Sequence, residues 1–293
     1  MPTFAAHDGT TLAYHVHGSG GRPLVCLPGG PQASAYLGDL GGLSAHRRVI
    51  TLDLRGTGDS ATPADAASYR CDRQAEDVEA LRAHLGEDRL DLLGHCGGAN
   101  LAVRYAARHP ARIARLVLIT PSTRAVGVDI AGEARREVAR SRAAEPWFAE
   151  AYAALERITA GEGRPGDGSL IAPFTYGRWD APARAHHADG ERRLSREAAA
   201  GFGAEGAFDP AATRAALKAL DAPVLVLAGE VDVAGPPAAM SEVAGLFPRA
   251  ELVVQPSAGH FPWLDDPVWF AGTLRNWLDQ TALDQTALDQ TVR

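Results

Sequence analysis

The stretch Arg89-Leu90-Asp91-Leu92-Leu93-Gly94-His95-Cys96-Gly97-Gly98-Ala99-Asn100 decides how this chain is read. The apolar run ending at Leu93 has the character of a short buried strand, and Ala99 to Ala107 has helical composition. Between them lies a glycine-rich turn with Cys96 at its tip, which gives strand, tight turn and helix. Glycines at 94, 97 and 98 fit a strained turn and let neighbouring backbone approach closely. The helix after Cys96 directs its free N–H groups and positive dipole end at the sulfur. Such surroundings favour the thiolate, the nucleophilic form of a thiol.

Working outward, 293 residues with 46% hydrophobic content suffice for a substantial core in one large domain or two small ones. The net charge is −7, and Lys218 is the single lysine among positive charges carried by arginine. That balance argues against a nucleic-acid or anionic-membrane partner. Residues 1–20 lack a basic stretch followed by an apolar core, and no run of eighteen apolar residues occurs. Neither export nor membrane insertion is expected, and the expected location is cytoplasmic. Cys26, Cys71 and Cys96 are too few, and odd in number, for a disulfide framework. No Cys/His cluster has zinc-ligand spacing, so no metal or cofactor is expected.

Further strands are expected at Thr11 to His17, Pro23 to Leu27, Arg48 to Asp53, Arg115 to Ile119, Pro223 to Leu227 and Glu251 to Val254. Asp72 is placed to cap a helix whose apolar face is Ala75, Val78, Leu81 and Leu85. A further helix is expected around Ala238 to Phe247. Short apolar strands alternating with helices predict an α/β fold with a mostly parallel central sheet flanked by helices. Ligands in such sheets bind outside the carboxyl ends of the strands.

Residues 123–208 break the alternation, with helical segments at Ile130 to Arg142 and Trp147 to Ile158 and a glycine-rich bend at Gly161 to Gly168. The expected organisation is a core over 1–122, an inserted helical cap over 123–208, the rest of the core over 209–278, and a disordered tail over 279–293. The tail begins where Leu278-Asp279-Gln280-Thr281-Ala282 starts to repeat.

A nucleophile at such a turn needs a general base and a carboxylate to orient it. Asp232, in Gly229-Glu230-Val231-Asp232, follows one expected strand, and His260, in Ser257-Ala258-Gly259-His260-Phe261, follows the next. The order Cys96, Asp232, His260 resembles the nucleophile, acid, base order of the α/β-hydrolase superfamily. Pro28-Gly29-Gly30-Pro31-Gln32 resembles the His-Gly-Gly-Pro-Gly oxyanion loop of proline iminopeptidase-like hydrolases, and Arg55-Gly56-Thr57-Gly58-Asp59-Ser60 their Arg-Gly-x-Gly-x-Ser loop. The resemblance implies an α/β-hydrolase fold, a Cys96-Asp232-His260 triad, and an oxyanion hole built from the backbone N–H groups of Gly30 and Gly97. Arg55 and Asp59 are read as braces of neighbouring loops.

Three departures stand out. Pro28 replaces the family's usual His, Gln32 its second glycine, and Cys96 its usual Ser, as in the dienelactone hydrolases and polyester synthases of the same superfamily. A Ser-to-Cys replacement made to trap an intermediate would give the same string.

The expected function is a hydrolase attacking the carbonyl of a small ester, lactone, amide or short N-terminal prolyl peptide through an acyl-enzyme. The partner is thus a small-molecule or short-peptide substrate, with the oligomeric state left open. Trp147, Phe148, Phe174, Tyr176 and Trp179 are candidates for its pocket. Glu133, Glu137, Glu145 and Glu150 could meet a free α-amino group, but their spacing among Arg135, Arg136, Arg140 and Arg142 fits a solvated ion-paired face better. The alternatives are a non-hydrolytic biosynthetic catalyst of acyl transfer or isomerisation, a ligand-binding protein on a hydrolase scaffold, and a redox-sensing thiol, which lacks a resolving cysteine nearby in sequence. His95 is read as packing, Asn100 as a support of the turn, His186-His187 as surface, Cys26 as an inert core thiol and Cys71 as incidental.

Overall fold

The computed structural model describes residues 1–291 and the side chains of residues 1–282. The apolar runs form β1 (Thr3–Ala5), β2 (Thr11–His17), β3 (Leu24–Leu27), β4 (Val49–Leu52), β5 (Leu90–His95), β6 (Ile113–Ile119), β7 (Val224–Gly229) and β8 (Ala250–Gln255). They make one sheet in the order β1-β2-β4-β3-β5-β6-β7-β8. β2 pairs antiparallel with β1 and β4, and every other neighbouring pair is parallel. This is the mostly parallel α/β architecture that the alternation predicted. β1 was not anticipated, because three residues are too short to show a period.

Every residue of β3 to β7 is buried, as strands covered on both faces must be. Their side chains alternate between two cores. Val25, Leu92, Leu116 and Val226 join Val78 and Leu81 of α1 (Cys71–His84) and Leu101 and Tyr105 of α2 (Gly97–Arg108). Cys26, Leu93, Val117 and Leu225 meet Trp263 of α10 (Pro262–Asp265) and Phe270, Leu274 and Trp277 of α11 (Pro267–Thr291). The parallel crossovers run through α1, through α2, and through α9 (Pro237–Ala244) between β7 and β8.

Asp72 does not cap α1. The helix already begins at Cys71, and the Asp72 carboxylate instead accepts from Nε and a terminal nitrogen of Arg70 at 2.9 and 3.0 Å. Arg55 is fully buried and gives Asp77 two hydrogen bonds of 2.5 Å, while Asp59 N–H donates to Asp53 at 2.9 Å.

Between β6 and α8 (Pro210–Leu217) lie α3 (Gly132–Arg140), α4 (Phe148–Thr159), α5 (Asp167–Leu170), α6 (Ala181–Arg193) and α7 (Arg196–Phe202). An isolated bridge from Leu194 to Gln32, with Ser195 N–H donating to Pro31 O at 3.2 Å, stitches this helical stretch to the loop after β3. α11 continues past Leu278 into the pentapeptide repeat, whose Leu, Ala and Gln are good helix formers. Most of the stretch expected as a disordered tail has side chains outside the described residues, as do residues 292 and 293 altogether. No helix among the described residues is long and apolar enough to cross a membrane.

Candidate active site

Cys96 sits between β5 and α2 at φ 50° and ψ −118°, a conformation costing a residue with a Cβ about 1–3 kcal/mol. Three backbone bonds hold it there. Its N–H donates to Ile119 O at 3.1 Å, and its carbonyl accepts from Ala99 and Ser122 N–H at 3.1 and 3.0 Å. The flanking glycines are needed for close approach, since a Cβ at Gly98 would stand 2.2 Å from Leu27 O and one at Gly94 2.6 Å from Ala99 Cα. Cys26 and Cys71 are fully buried, and burial pushes both thiols well above their ordinary range. Cys96 alone of the three is partly accessible.

Asp232 follows β7 and His260 follows β8. Their loops are joined by Val231 N–H donating to Ala258 O at 2.9 Å. The Asp232 carboxylate, fully buried, accepts from His260 Nδ1 at 2.8 Å and from Ala234 N–H at 2.8 Å. His260 Nε2 is thereby left free of Asp232, and the Cys96 sulfur is close enough to act on the imidazole. Burial works most strongly against charge on His260, but the Asp232 carboxylate and the Cys96 sulfur together outweigh it and hold the imidazole well above its usual range. Cys96, His260 and Asp232 thus come together at the carboxyl rim of the sheet.

His95 links this line to the loop after β3, which the sequence reading did not foresee. Tyr36 Oη accepts from Gly29 N–H at 2.7 Å and so donates its one proton to His95 Nδ1 at 2.6 Å. His95 Nε2–H then donates to His260 O at 2.9 Å, an acceptor shared with Thr120 Oγ1 at 3.0 Å. Burial first, then the neighbouring His260, hold His95 well below its usual range, so it stays neutral. On the other side of the turn, Asn100 donates to Ser122 Oγ at 3.0 Å and accepts from Ala125 N–H at 2.9 Å.

The loop carrying Gly29 and Gly30 lies against Cys96. A Cβ on Gly29 would fall 2.8 Å from Cys96 Cβ and 3.1 Å from Gly97 N, and one on Gly97 would fall 3.4 Å from Gly30 N. Gly97 is the first residue of α2, where N–H groups have no partner within the helix. Gly30, Gly97 and Cys96 line the same cavity of about 200 Å³. Its other walls include Ser122, Arg124, Ala199 and Phe202.

The five aromatics expected to line the pocket do not reach this cavity. Trp147, Phe148 and Phe174 pack with one another and with Leu155 as the interior of the helical stretch itself, Trp147 and Phe174 edge-on at 5.1 Å. Tyr176 stacks on Phe261 at 5.0 Å, and Trp179 packs on Tyr176 at 5.4 Å. Tyr176 lines a neighbouring hollow of about 150 Å³ with His186. His186 is half-buried rather than superficial, because its Nδ1 is bonded to Tyr176 Oη at 2.9 Å. Glu133 is ion-paired with Arg136 and Arg140, and Glu145 with Arg142.

Among the described residues only His15, Asp53 and Asp59 gather ligand atoms at metal-like spacing. Asp53 is already committed there, accepting from Ser34 N–H at 2.7 Å, Asp59 N–H at 2.9 Å and His15 Nε2 at 3.0 Å.

Residues 22–267 match the family described as alpha/beta hydrolase fold. A proline iminopeptidase of Heyndrickxia coagulans is 36% identical over 103 residues, 35% of this chain and 36% of that protein. The matched segment therefore spans little more than a third of that relative's length. Proline iminopeptidase from Mycobacterium smegmatis shares the fold at a TM-score of 0.74 and 24% identity, over 97% of this chain and 100% of that one. The enol-lactonase from Burkholderia xenovorans LB400 is 27% identical at a TM-score of 0.65, over 95% of this chain and 100% of that one.

Proposed function

Since this chain belongs to the alpha/beta hydrolase fold family, a family of hydrolases, we propose that it cleaves small esters or lactones through an acyl-enzyme on Cys96. With the proton already held on His260, the Cys96 sulfur bonds to the carbonyl carbon, and the N–H groups of Gly30 and Gly97 receive the oxyanion. Collapse expels the alkoxide, which takes the proton from His260, and leaves a thioester. His260 then draws a proton from water as its oxygen attacks the thioester carbon, and returns it to the departing sulfur. Asp232 fixes the imidazole tautomer and balances its charge throughout. Residues 123–208 act as a cap, with Ala199 and Phe202 covering the sulfur.

The observation that carries this reading is the buried Asp232–His260 hydrogen bond, with its imidazole acted on by the Cys96 sulfur, beside a small cavity lined by Cys96, Gly30 and Gly97. Esters and lactones are favoured over prolyl peptides because, among the described residues, no carboxylate side chain lines that cavity to meet a free amino group.

Incubation with 4-nitrophenyl butyrate and intact-mass analysis test the proposal. The expected result is nitrophenol release with a transient butyryl adduct on Cys96, and loss of both in Cys96→Ala by at least about 10³-fold. Undiminished turnover in Cys96→Ala removes the sulfur from the mechanism. An adduct that water does not clear, but another nucleophile does, points to acyl transfer. A Cys96→Ser variant hydrolysing orders of magnitude faster marks the thiol as a device that slows deacylation.

A further inference from the structure

We propose that the acyl group this site accepts carries its own carboxylate, held by Arg124, so that the substrate is a small ester or lactone of a dicarboxylic acid. The substrate class rests on the hydrolase reading above; the anion site itself rests on the cavity alone.

The polar side chains lining the cavity beside Cys96 are Asn100, Ser122 and Arg124, and what they have left to offer is donors. Gly30 and Gly97 line it too, the N–H of Gly97 having no partner within α2. Ser122 Oγ already accepts from Asn100, which leaves its hydroxyl proton free to donate, and Asn100 Oδ1 is itself occupied by Ala125 N–H. Arg124 has no ion-pair partner among the described residues. One terminal nitrogen donates to Gly203 O at 3.3 Å, and the guanidinium carbon lies 5.2 Å from the centre of the Phe208 ring. Those two contacts steady the group and use little of its five-donor capacity. Among the described residues no Asp or Glu lines the cavity.

An acyl-enzyme uses the two backbone donors for its oxyanion, which leaves Ser122 and Arg124 to be satisfied by the rest of the acyl group. A neutral alkyl chain cannot do this, and an ammonium would meet a guanidinium with no intervening carboxylate. A carboxylate meets both requirements, since it accepts a forked pair of bonds from arginine and a third from a hydroxyl. Pro31, Ala199 and Phe202 supply apolar wall for a few methylenes between the two ends. A volume of about 200 Å³ keeps that linker short.

The test uses the sulfur itself as reporter. Iodoacetate and iodoacetamide both alkylate a thiolate, sulfur bonding to the methylene carbon as iodide leaves, but only the first carries a carboxylate. Rates at Cys96, read by peptide mass and normalised to glutathione, give the preference for the anion. That preference is expected to fall about fivefold in Arg124→Gln and to be largely kept in Arg124→Lys. Fivefold corresponds to about 1 kcal/mol, the upper end for an exposed ion pair. His260 lies beside the sulfur in all three proteins, so its charge cancels from the comparison. A parallel kinetic arm compares mono-4-nitrophenyl succinate, in which a carboxylate replaces the terminal methyl, with 4-nitrophenyl butyrate. Its preference for the succinate should be lost in Arg124→Gln through KM rather than kcat.

An alkylation preference that Arg124→Gln leaves unchanged overturns the anion site, even where both esters turn over. Arg124-dependent alkylation without ester turnover keeps the anion site and overturns the hydrolase reading. A Cys96 inert to both reagents overturns both.

Discussion

The carboxyl rim of the sheet and the helical stretch proposed to cap it are built on opposite plans. At the rim each of the three residues is fixed by hydrogen bonds: Cys96 N–H to Ile119 of β6, the Asp232 carboxylate to Ala234 N–H in its own turn, and His260 through its carbonyl to Thr120 Oγ1 and its N–H to Thr175 O. In the cap the large aromatics serve one another. Trp147, Phe148 and Phe174 fill its interior, and the short helix α7 gives the cavity only Ala199 and Phe202. The three residues are thus held at the ends of a parallel sheet, while the shape of the cavity depends on how a few residues of the helical stretch dock. Variants at the rim should change rates, and variants inside the cap should change stability.

The largest expected effect is at Asp232. In Asp232→Asn the imidazole loses the carboxylate that fixes its tautomer, and kcat should fall by about 10³-fold or more. The protonation of His260 should move with it. The intact protein holds this imidazole charged well above pH 6.5 against its burial, so without the carboxylate burial prevails and the group titrates lower. A folded-state value raised above the unfolded one contributes stability that is fully present below about pH 6.5 and is lost as pH rises through the raised value. The stability gap between the two proteins should therefore narrow as pH rises above 6.5, as denaturation at several pH values would record. An unshifted imidazole signal in Asp232→Asn, followed by NMR, would break the contrast between rim and cap.

The same contrast explains what could be read beforehand. Cys96, Asp232 and His260 were legible because each is announced locally, by apolar strand residues ending in a turn, and Gly30 because Pro28-Gly29-Gly30-Pro31 marks its loop. The strand pattern gave the sheet, and period-two alternation through Leu92-Leu93 and Leu116-Val117 divides cleanly between the two cores. The cavity walls were not legible. Arg124, from the loop after β6, and Phe202, from α7, line one cavity with Cys96 although 78 residues separate them, a long-range docking with no signature near either residue. The aromatic density of 147–179 signalled apolar burial correctly but not which surface is buried. Asp72 shows a local rule overridden, because Arg70 claims the carboxylate that could have capped α1.

Tyr36 lies between the two plans and should give an intermediate effect. Tyr36→Phe leaves Gly29 N–H and His95 Nδ1 without their shared partner in a buried setting, at a cost of about 1–3 kcal/mol. Because Gly29 adjoins Gly30 and His95 bonds to His260 O, both the oxyanion loop and the base should loosen together. The expected result is a fall in kcat of about tenfold with KM for 4-nitrophenyl butyrate nearly unchanged. A loss of stability with kcat intact would confine the link to packing.

The smallest effect on chemistry is expected inside the cap. Phe148 stacks on Tyr152 at 4.9 Å and meets Phe174 edge-on at 6.1 Å, away from the cavity beside Cys96. Phe148→Ala removes this half-buried ring and should lower stability by about 2 kcal/mol, less than for a fully buried phenylalanine. Alkylation of Cys96 by iodoacetamide and KM for 4-nitrophenyl butyrate should each change by less than about twofold, because the ring touches neither the sulfur nor the walls around it. A KM raised tenfold with the fold intact would mean that the cap aromatics reach the substrate after all, and the division between a rim that reacts and a cap interior that only supports it would fall.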